Sequence, residues 1–409
     1  MIRTQKKFAP NTLFSIFAII ISLILTSGMV GCGKIRTPLP PELFNESVVQ
    51  GMTGVRTYAF EHSSEFEADL IASIKQEKEY RPSGHNDASG YFNILALSGG
   101  GSNGAFGAGI LNGWSAAGTR PIFKIVTGIS TGALIAPFAF IGEDYDQVLK
   151  QVYTSVETKD IMKLKSYVIS EKGLDSLADS SPLRKLITKF VTENVIRNVA
   201  LAHQTGRRLY IGTTDLDFGR LVIWNMGAIA ANNRPESDNL FRKILLASAS
   251  IPILLPPVYI PVEVRDEVYE EMHVDGGVST QVFLYGDILN LDDVASSIGL
   301  SSVGPARIYI IQNLKSLPQY EPVASNLTSI SKKTVTGLLS NQGNGDLYRI
   351  YAIAQREGIK FKLVFIPATY ESIDPLNFDP VSMKRLFDLG YRLALSGDPW
   401  QNHPPGYKD

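Results

Sequence analysis

The chain has 409 residues, 44% of them hydrophobic, which is ample for a sizeable buried core. Its 39 Lys and Arg stand against 40 Asp and Glu, a formal net charge of -1 that argues against a nucleic-acid partner. One cysteine excludes an intramolecular disulfide, and no metal-ligand cluster or internal repeat is visible.

Arg3, Lys6 and Lys7 precede an apolar stretch from Leu13 to Leu25 that runs into Gly28-Met29-Val30-Gly31-Cys32. A charged start, an apolar middle and small residues before a cleavage point describe a secretory signal. The segment is similar to a bacterial lipoprotein signal, in which Cys32 is diacylated and becomes the mature N-terminus, although Met29 departs from the usual Leu. An uncleaved anchor is the alternative, since the uncharged stretch from Phe8 to Gly33 is long enough to span a bilayer. Removing residues 1–31 takes away three cations and leaves a mature net charge of about -4. Gly33, where an Asp would imply inner-membrane retention, implies by the same resemblance a cell-envelope protein held at the outer membrane and facing the periplasm.

Arg36-Thr37-Pro38-Leu39-Pro40-Pro41 reads as a stiff tether. Ser64-Glu65-Phe66-Glu67 resembles a capping box opening a helix with Phe66, Leu70, Ile71 and Ile74 on one face, followed by a polar link from Glu77 to Gly90.

Asn93-Ile94-Leu95-Ala96-Leu97-Ser98 is an apolar strand that runs into Gly99-Gly100-Gly101-Ser102-Asn103-Gly104 and then a helix from Ala105. Consecutive glycines let backbone N–H groups converge on one point, as an oxyanion hole or a phosphate cradle requires. The run also spells G-x-G-x-x-G, but a dinucleotide site expects an acidic residue about 20 positions on, and none occurs between Asp87 and Glu143.

Phe123-Lys124-Ile125-Val126-Thr127 reads as a strand, Gly128-Ile129-Ser130-Thr131-Gly132 as a sharp turn, and the apolar residues after Thr131 as a helix. Strand, turn and helix are what a nucleophile elbow needs, with Gly128 and Gly132 avoiding collisions two residues either side of Ser130. Near-matches around Ser115 and Ser301 lack that context. Arg208 to Asp215 and Arg220 to Trp224 look like strands joined by an Asp217-Phe218-Gly219 turn. A serine- and proline-rich block follows, Ala247-Ser248-Ala249-Ser250-Ile251-Pro252 with Pro256-Pro257. Tyr269 to Val274 reads as a strand delivering Asp275 to a Gly276-Gly277 turn.

Residues 284 to 304 read as a surface loop, with a lid beside the cleft as the alternative. Further strands are expected at Ala306 to Ile311 and Phe361 to Ile366, with a helix from Asp346 to Glu357 between them. Asp398 to Pro405 reads as a solvated tail. Strands alternating with helices argue one α/β domain with a largely parallel sheet and ligands at the carboxyl ends of its strands. His62, His85 and His203 are expected on the surface or in loops.

The glycine loop, the G-x-S-x-G serine, the serine- and proline-rich block and the D-G-G aspartate, in this order, resemble the patatin-like phospholipase family over residues 90 to 280 and on toward 395. The resemblance implies a patatin-like three-layer sandwich with a mostly parallel central sheet. It divides the chain into a signal peptide (1–31), a lipid-anchored tether with the N-terminal helix (32–90), a catalytic domain (91–395) and a tail (396–409). It implies hydrolysis of a membrane lipid or other lipid ester by a Ser130–Asp275 dyad, with Gly99, Gly100 and Gly101 as the oxyanion hole. Gly104, Gly128, Gly132, Gly276 and Gly277 are the supporting motif glycines, and no cofactor or metal is required.

Asn103 departs from the Arg or Lys usual in the family's loop. This leaves room for a weakly active or inactive lipid-binding scaffold lipoprotein. The other mechanism is an α/β-hydrolase triad of Ser130, Asp275 and a histidine, His403 or His273.

Overall fold

The computed structural model describes residues 36–80, 92–165, 175–284, 305–315, 320, 322–371 and 374–407. The lipoprotein signal with Cys32, most of the polar link before the first core strand with His85, and the 284–304 loop beyond Leu284 lie outside the described residues.

Five strands form the parallel centre of the sheet: β2 (Phe92–Leu97), β3 (Ile125–Ile129), β4 (Arg208–Asp215), β8 (Ala306–Lys315) and β9 (Lys360–Ile366). Their order is β4-β3-β2-β8-β9. On the far side of β4, the antiparallel β5 (Arg220–Asn225) and β1 (Arg56–Tyr58) extend the sheet, while β6 (Val258–Val264) and β7 (Glu267–Asp275) form a hairpin whose second strand also pairs with β4. The result is a nine-stranded sheet with a parallel five-stranded centre in an α/β fold.

Alternation along the central strands builds two cores. Leu95, Leu97, Val126, Tyr309 and Ile311 face one side, and Ile94, Ala96, Ile125, Ile308 and Ile310 the other. The first side is covered by α2 (Gly104–Ala116), α3 (Thr131–Ile141), α4 (Asp146–Ser155) and, near the C-terminus, α10 (Pro380–Leu395). The second is covered by α1 (Ser64–Tyr80), through Phe66, Leu70 and Ile74, and by α9 (Leu327–Arg356), through Leu347, Ile350 and Ala354. Three layers follow from this two-sided pattern, each fully buried aliphatic or aromatic side chain contributing about 1.5–3 kcal/mol.

Several expectations shift. The cap of α1 is Ser63, whose hydroxyl accepts from the Phe66 amide at 3.3 Å, one residue before the expected box. The helix expected at Asp346 begins at Leu327.

The proline-rich segment after residue 35 is not a free tether. Arg36 donates to Asp217 Oδ2 at 2.6 Å and to the Glu270 carbonyl at 3.1 Å, the Glu270 amide donates to the Thr37 carbonyl at 2.8 Å, and Leu39 is buried. Proline stiffness lowers the entropy lost on ordering, so the segment docks along the β6–β7 hairpin and does not stand off in solvent.

The tail is also ordered. Gln401 exchanges two 2.8 Å backbone bonds with Leu363, and Trp400 packs on Trp114 and Tyr309. His203 lies buried in a helix, not on the surface. Among the described residues, no helix is long and apolar enough to cross a membrane.

Candidate active site

Strand register brings the two ends of the site together. On one edge of β4, β3 pairs in parallel as far as Ile129 opposite Gly212, and β7 pairs antiparallel from Asp275 opposite Thr213. The two strands therefore meet end to end at adjacent positions of β4, their carboxyl ends facing. Ser130, the next residue after β3, is thereby set against Asp275: its Oγ donates to Asp275 Oδ2 at 2.7 Å.

Ser130 holds φ 55° and ψ -123°, a region costly for a non-glycine residue. Its neighbours stabilise the turn. The Ser130 amide donates to Ser248 Oγ at 3.0 Å, and that hydroxyl donates to the Gly212 carbonyl at 2.7 Å. A Cβ on Gly132 would lie 2.3 Å from the Leu97 carbonyl oxygen, and one on Gly128 2.6 Å from the Gly132 carbonyl oxygen, so strand and helix can approach only with glycine at both.

Asp275 is equally confined. Its amide donates to the Ser250 carbonyl at 2.9 Å, and its Oδ1 accepts from the Gly277 amide at 2.7 Å. Ser130 and Asp275 are 7% and 5% exposed. Burial pushes the Asp275 carboxyl up to about 7, against the opposing pull of the Ser130 hydroxyl and the Gly277 amide.

The three loop glycines are not equivalent. The Gly99 amide donates to the Gln281 carbonyl at 3.1 Å and so cannot serve an oxyanion, a correction to its expected role. The amides of Gly100 and Gly101 donate to no partner among the described residues. The loop is held from outside by Asn313 on β8. Its side chain donates to the Ser98 carbonyl at 2.9 Å and accepts from the Gly107 amide at 3.0 Å, while the Ser102 amide donates to the Pro375 carbonyl. Gly104 lets α2 lie against Thr131, where a Cβ would be 2.2 Å from the Thr131 hydroxyl.

Gln281 links loop and aspartate. Besides accepting from Gly99, it donates through Nε2 to the Gly277 carbonyl at 2.9 Å and through its amide to Asp346 Oδ2 at 2.7 Å. Gly276 lies so close to β4 that a Cβ would be 2.5 Å from the Gly212 carbonyl oxygen. No sequence pattern marks Asn313 or Gln281, whereas Ser248 and Ser250 belong to the serine-rich block already singled out.

Ser130 and Gly101 open on a cleft of about 630 Å³, open solvent at its mouth included. Leu134, Val156, Met162, Leu183, Leu255 and Met383 are among its apolar walls. Tyr153, the largest polar side chain there, turns its hydroxyl to Thr131 Oγ1 at 2.7 Å and the Thr131 carbonyl at 3.2 Å, so the cleft presents little unsatisfied polarity. A long apolar group beside a nucleophile is what such walls accept.

Neither histidine proposed for a triad is bonded to Ser130. His273 is buried with its Nδ1 2.9 Å from Thr213 Oγ1 and its Nε2 3.1 Å from Glu271 Oε2. The exposed ring of His403 stacks near Tyr407, on the tail segment bonded to β9. Asp275 occupies the position beside Ser130 that a triad histidine would need. Asn103, at the start of α2, is buried and donates its amide to the Gly100 carbonyl at 3.1 Å. No group of three His, Cys, Asp or Glu residues able to hold a metal occurs among the described residues.

Residues 95–284 match the family model described as patatin-like phospholipase. No curated protein matches the sequence. Among solved structures, the chain is similar to VipD from Legionella pneumophila (11% identity, TM-score 0.38, covering 75% of this chain and 66% of that one). It is also similar to the type III effector protein ExoU (13%, 0.36, 75% and 52%) and to human GIVD cytosolic phospholipase A2 (10%, 0.34, 84% and 64%). The chain thus spans about two thirds or less of the length of each of these three proteins. Motif order and the family match agree over one stretch: residues 95–284 of this chain match the patatin-like phospholipase domain.

Proposed function

We propose that the protein hydrolyses the acyl ester of a phospholipid or other lipid through a Ser130–Asp275 dyad. The observation that carries this is the 2.7 Å bond between a strained, buried serine and a buried aspartate at the head of an apolar cleft. Asp275 takes the Ser130 proton as Oγ attacks the ester carbonyl carbon. The resulting oxyanion is met by the Gly100 and Gly101 amides. Collapse breaks the ester bond, and the departing alcohol leaves with the proton held by Asp275. Water, deprotonated by Asp275, then attacks the acyl-serine, releasing the fatty acid and restoring Ser130.

An aspartate at its ordinary value near 3.9 is a weak base at neutral pH. Held at about 7, Asp275 is both a stronger base and ionised in a useful fraction there. The cleft suits the acyl chain, leaving the headgroup outside.

The proposed location is the cell envelope, with the chain lipidated on Cys32 and facing the periplasm from the outer membrane. Arg36, docked on Asp217 at the end of the sheet that also carries Ser130, supports a short leash: the four residues back to Cys32 reach at most about 14 Å. Palmitate labelling of the wild type and of Cys32→Ala tests this; label that persists in the variant contradicts it.

The catalytic reading is tested by fatty-acid release from mixed phospholipid vesicles. Wild type is expected to be active, with Ser130→Ala and Asp275→Asn inactive at unchanged fold. Equal release by wild type and Ser130→Ala would overturn it.

A further inference from the structure

Beside the cleft, three backbone segments lie side by side. Lys163–Leu164 pairs with Ala178–Asp179, the Lys165 amide donates to the Leu177 carbonyl at 3.0 Å, and the Leu177 and Ala178 amides donate to the Ile253 and Leu254 carbonyls at 2.8 and 2.9 Å. Its outward side chains include the charged Lys163 and, at its edge, the Lys165–Asp175 pair, but three of them are apolar. Leu164 is 72% exposed, Leu177 44% and Ile253 71%.

Ile253 is the most informative of the three. It holds φ 72°, a conformation that disfavours β-branched residues, so glycine or asparagine would relieve the backbone and the exposed apolar surface together. Cross-segment bonds to its own carbonyl and to that of Leu254 nevertheless hold the segment there. A protein working only in water gains nothing from an arrangement costly on both counts.

The same segments also line the cleft. Ile161 and Met162 precede Leu164, and Ile251, Leu254 and Leu255 flank Ile253, all of them cleft walls. The same segments therefore carry apolar side chains both at the rim and in the cleft beside Ser130. Helix α5 (Ser181–Phe190) adds charge: Leu183 and Leu186 face the cleft, while Arg184, Lys185 and Lys189 are exposed and the helix carries no acidic residue.

We propose that Leu164, Leu177 and Ile253, together with the basic outer face of α5, form the surface by which the domain seats on an anionic phospholipid bilayer. The three apolar side chains enter the acyl boundary, the cations meet lipid phosphates, and an acyl chain passes from the bilayer into the cleft without crossing water. This deepens the lipid-ester reading and rests on it for the passage of substrate, but the docking itself is read without turnover.

The test uses the full chain carrying Cys32→Ala and Ser130→Ala, with an environment-sensitive fluorophore on Ile253→Cys. A reference label is placed on Lys360→Cys, at the opposite end of the sheet. Because the apolar leader binds lipid by itself, the readout is site-resolved. Vesicles of phosphatidylglycerol and phosphatidylcholine are added, some with quencher-bearing acyl chains.

The expected result is a blue shift and acyl-chain quenching at 253 but not at 360, stronger on the anionic vesicles. Adding Leu164→Asp should raise the lipid concentration for half-maximal shift by about tenfold, the loss of one buried leucine. Equal signals at both sites overturn the proposal, as does a blue shift that grows with protein concentration in the absence of lipid, which would mark a contact between copies. Docking at 253 in a protein whose Ser130 form releases no fatty acid would uphold this surface and reject the hydrolase reading.

Discussion

Replacing Asp275 by Asn changes stability in a pH-dependent way that can be worked out from the site. The Asp275 carboxyl is raised from 3.8 to about 7 by burial. A group with a raised folded value binds more protons when folded, so its ionisation costs nothing below the unfolded value and reaches full cost above the folded one. Between pH 5 and pH 8 that cost grows by about 2.5 kcal/mol. With an unfolding entropy near 2.1 cal/mol/K per residue over a folded unit of roughly 350 residues, the change is about 3 °C in Tm. Asn bears no such charge. Its lost or altered hydrogen bonds shift stability by an amount that does not depend on this titration, and all other titrating groups are shared by both proteins. Thermal melts of wild type and Asp275→Asn at half-unit steps from pH 5 to 8 are therefore expected to diverge, the variant gaining about 3 °C on the wild type as pH rises. Parallel curves, or a gain by the wild type, would refute the burial argument for the base.

The same titration predicts that kcat/KM for a soluble ester rises with pH through about 7 and levels above it, because the base acts only when deprotonated; a flat profile from pH 5.5 to 8.5 contradicts this. Ser248→Ala leaves the Ser130 amide and the Gly212 carbonyl buried without their shared partner, and is expected to cost about 1–3 kcal/mol in denaturant unfolding and to lower kcat more than it raises KM. Arg36→Ala removes a mostly surface ion pair and should change global stability by no more than about 1 kcal/mol, while limited proteolysis between residues 36 and 48 speeds up.

Local chemistry was legible in the sequence where geometry leaves one residue type little choice. Gly128 and Gly132 stand where the turn admits no Cβ, the central strands read as apolar runs, and the strand–turn–helix around Ser130 follows from the order of its residues. The meeting of β3 and β7 on one edge of β4 was not legible, because register is a long-range property and Thr213 opposite Asp275 has no local mark. Nor was the fate of Gly99. A glycine run offers several amides, and only the tertiary position of Gln281 decides which is already engaged. Proline-rich sequence after residue 35 misled for a related reason, since stiffness is compatible with a tether or a docked strap and the partners that decide, Asp217 and Glu270, lie far along the chain.

The central claim is that Ser130 becomes acylated because Asp275 activates it. Intact-mass and peptide mass spectrometry after exposure to a fluorophosphonate ester tests this most directly. The account predicts one adduct, on Ser130, absent from Ser130→Ala and formed far more slowly in Asp275→Asn. An adduct on another serine such as Ser115 or Ser301, or labelling of Ser130 at an undiminished rate without Asp275, would contradict it.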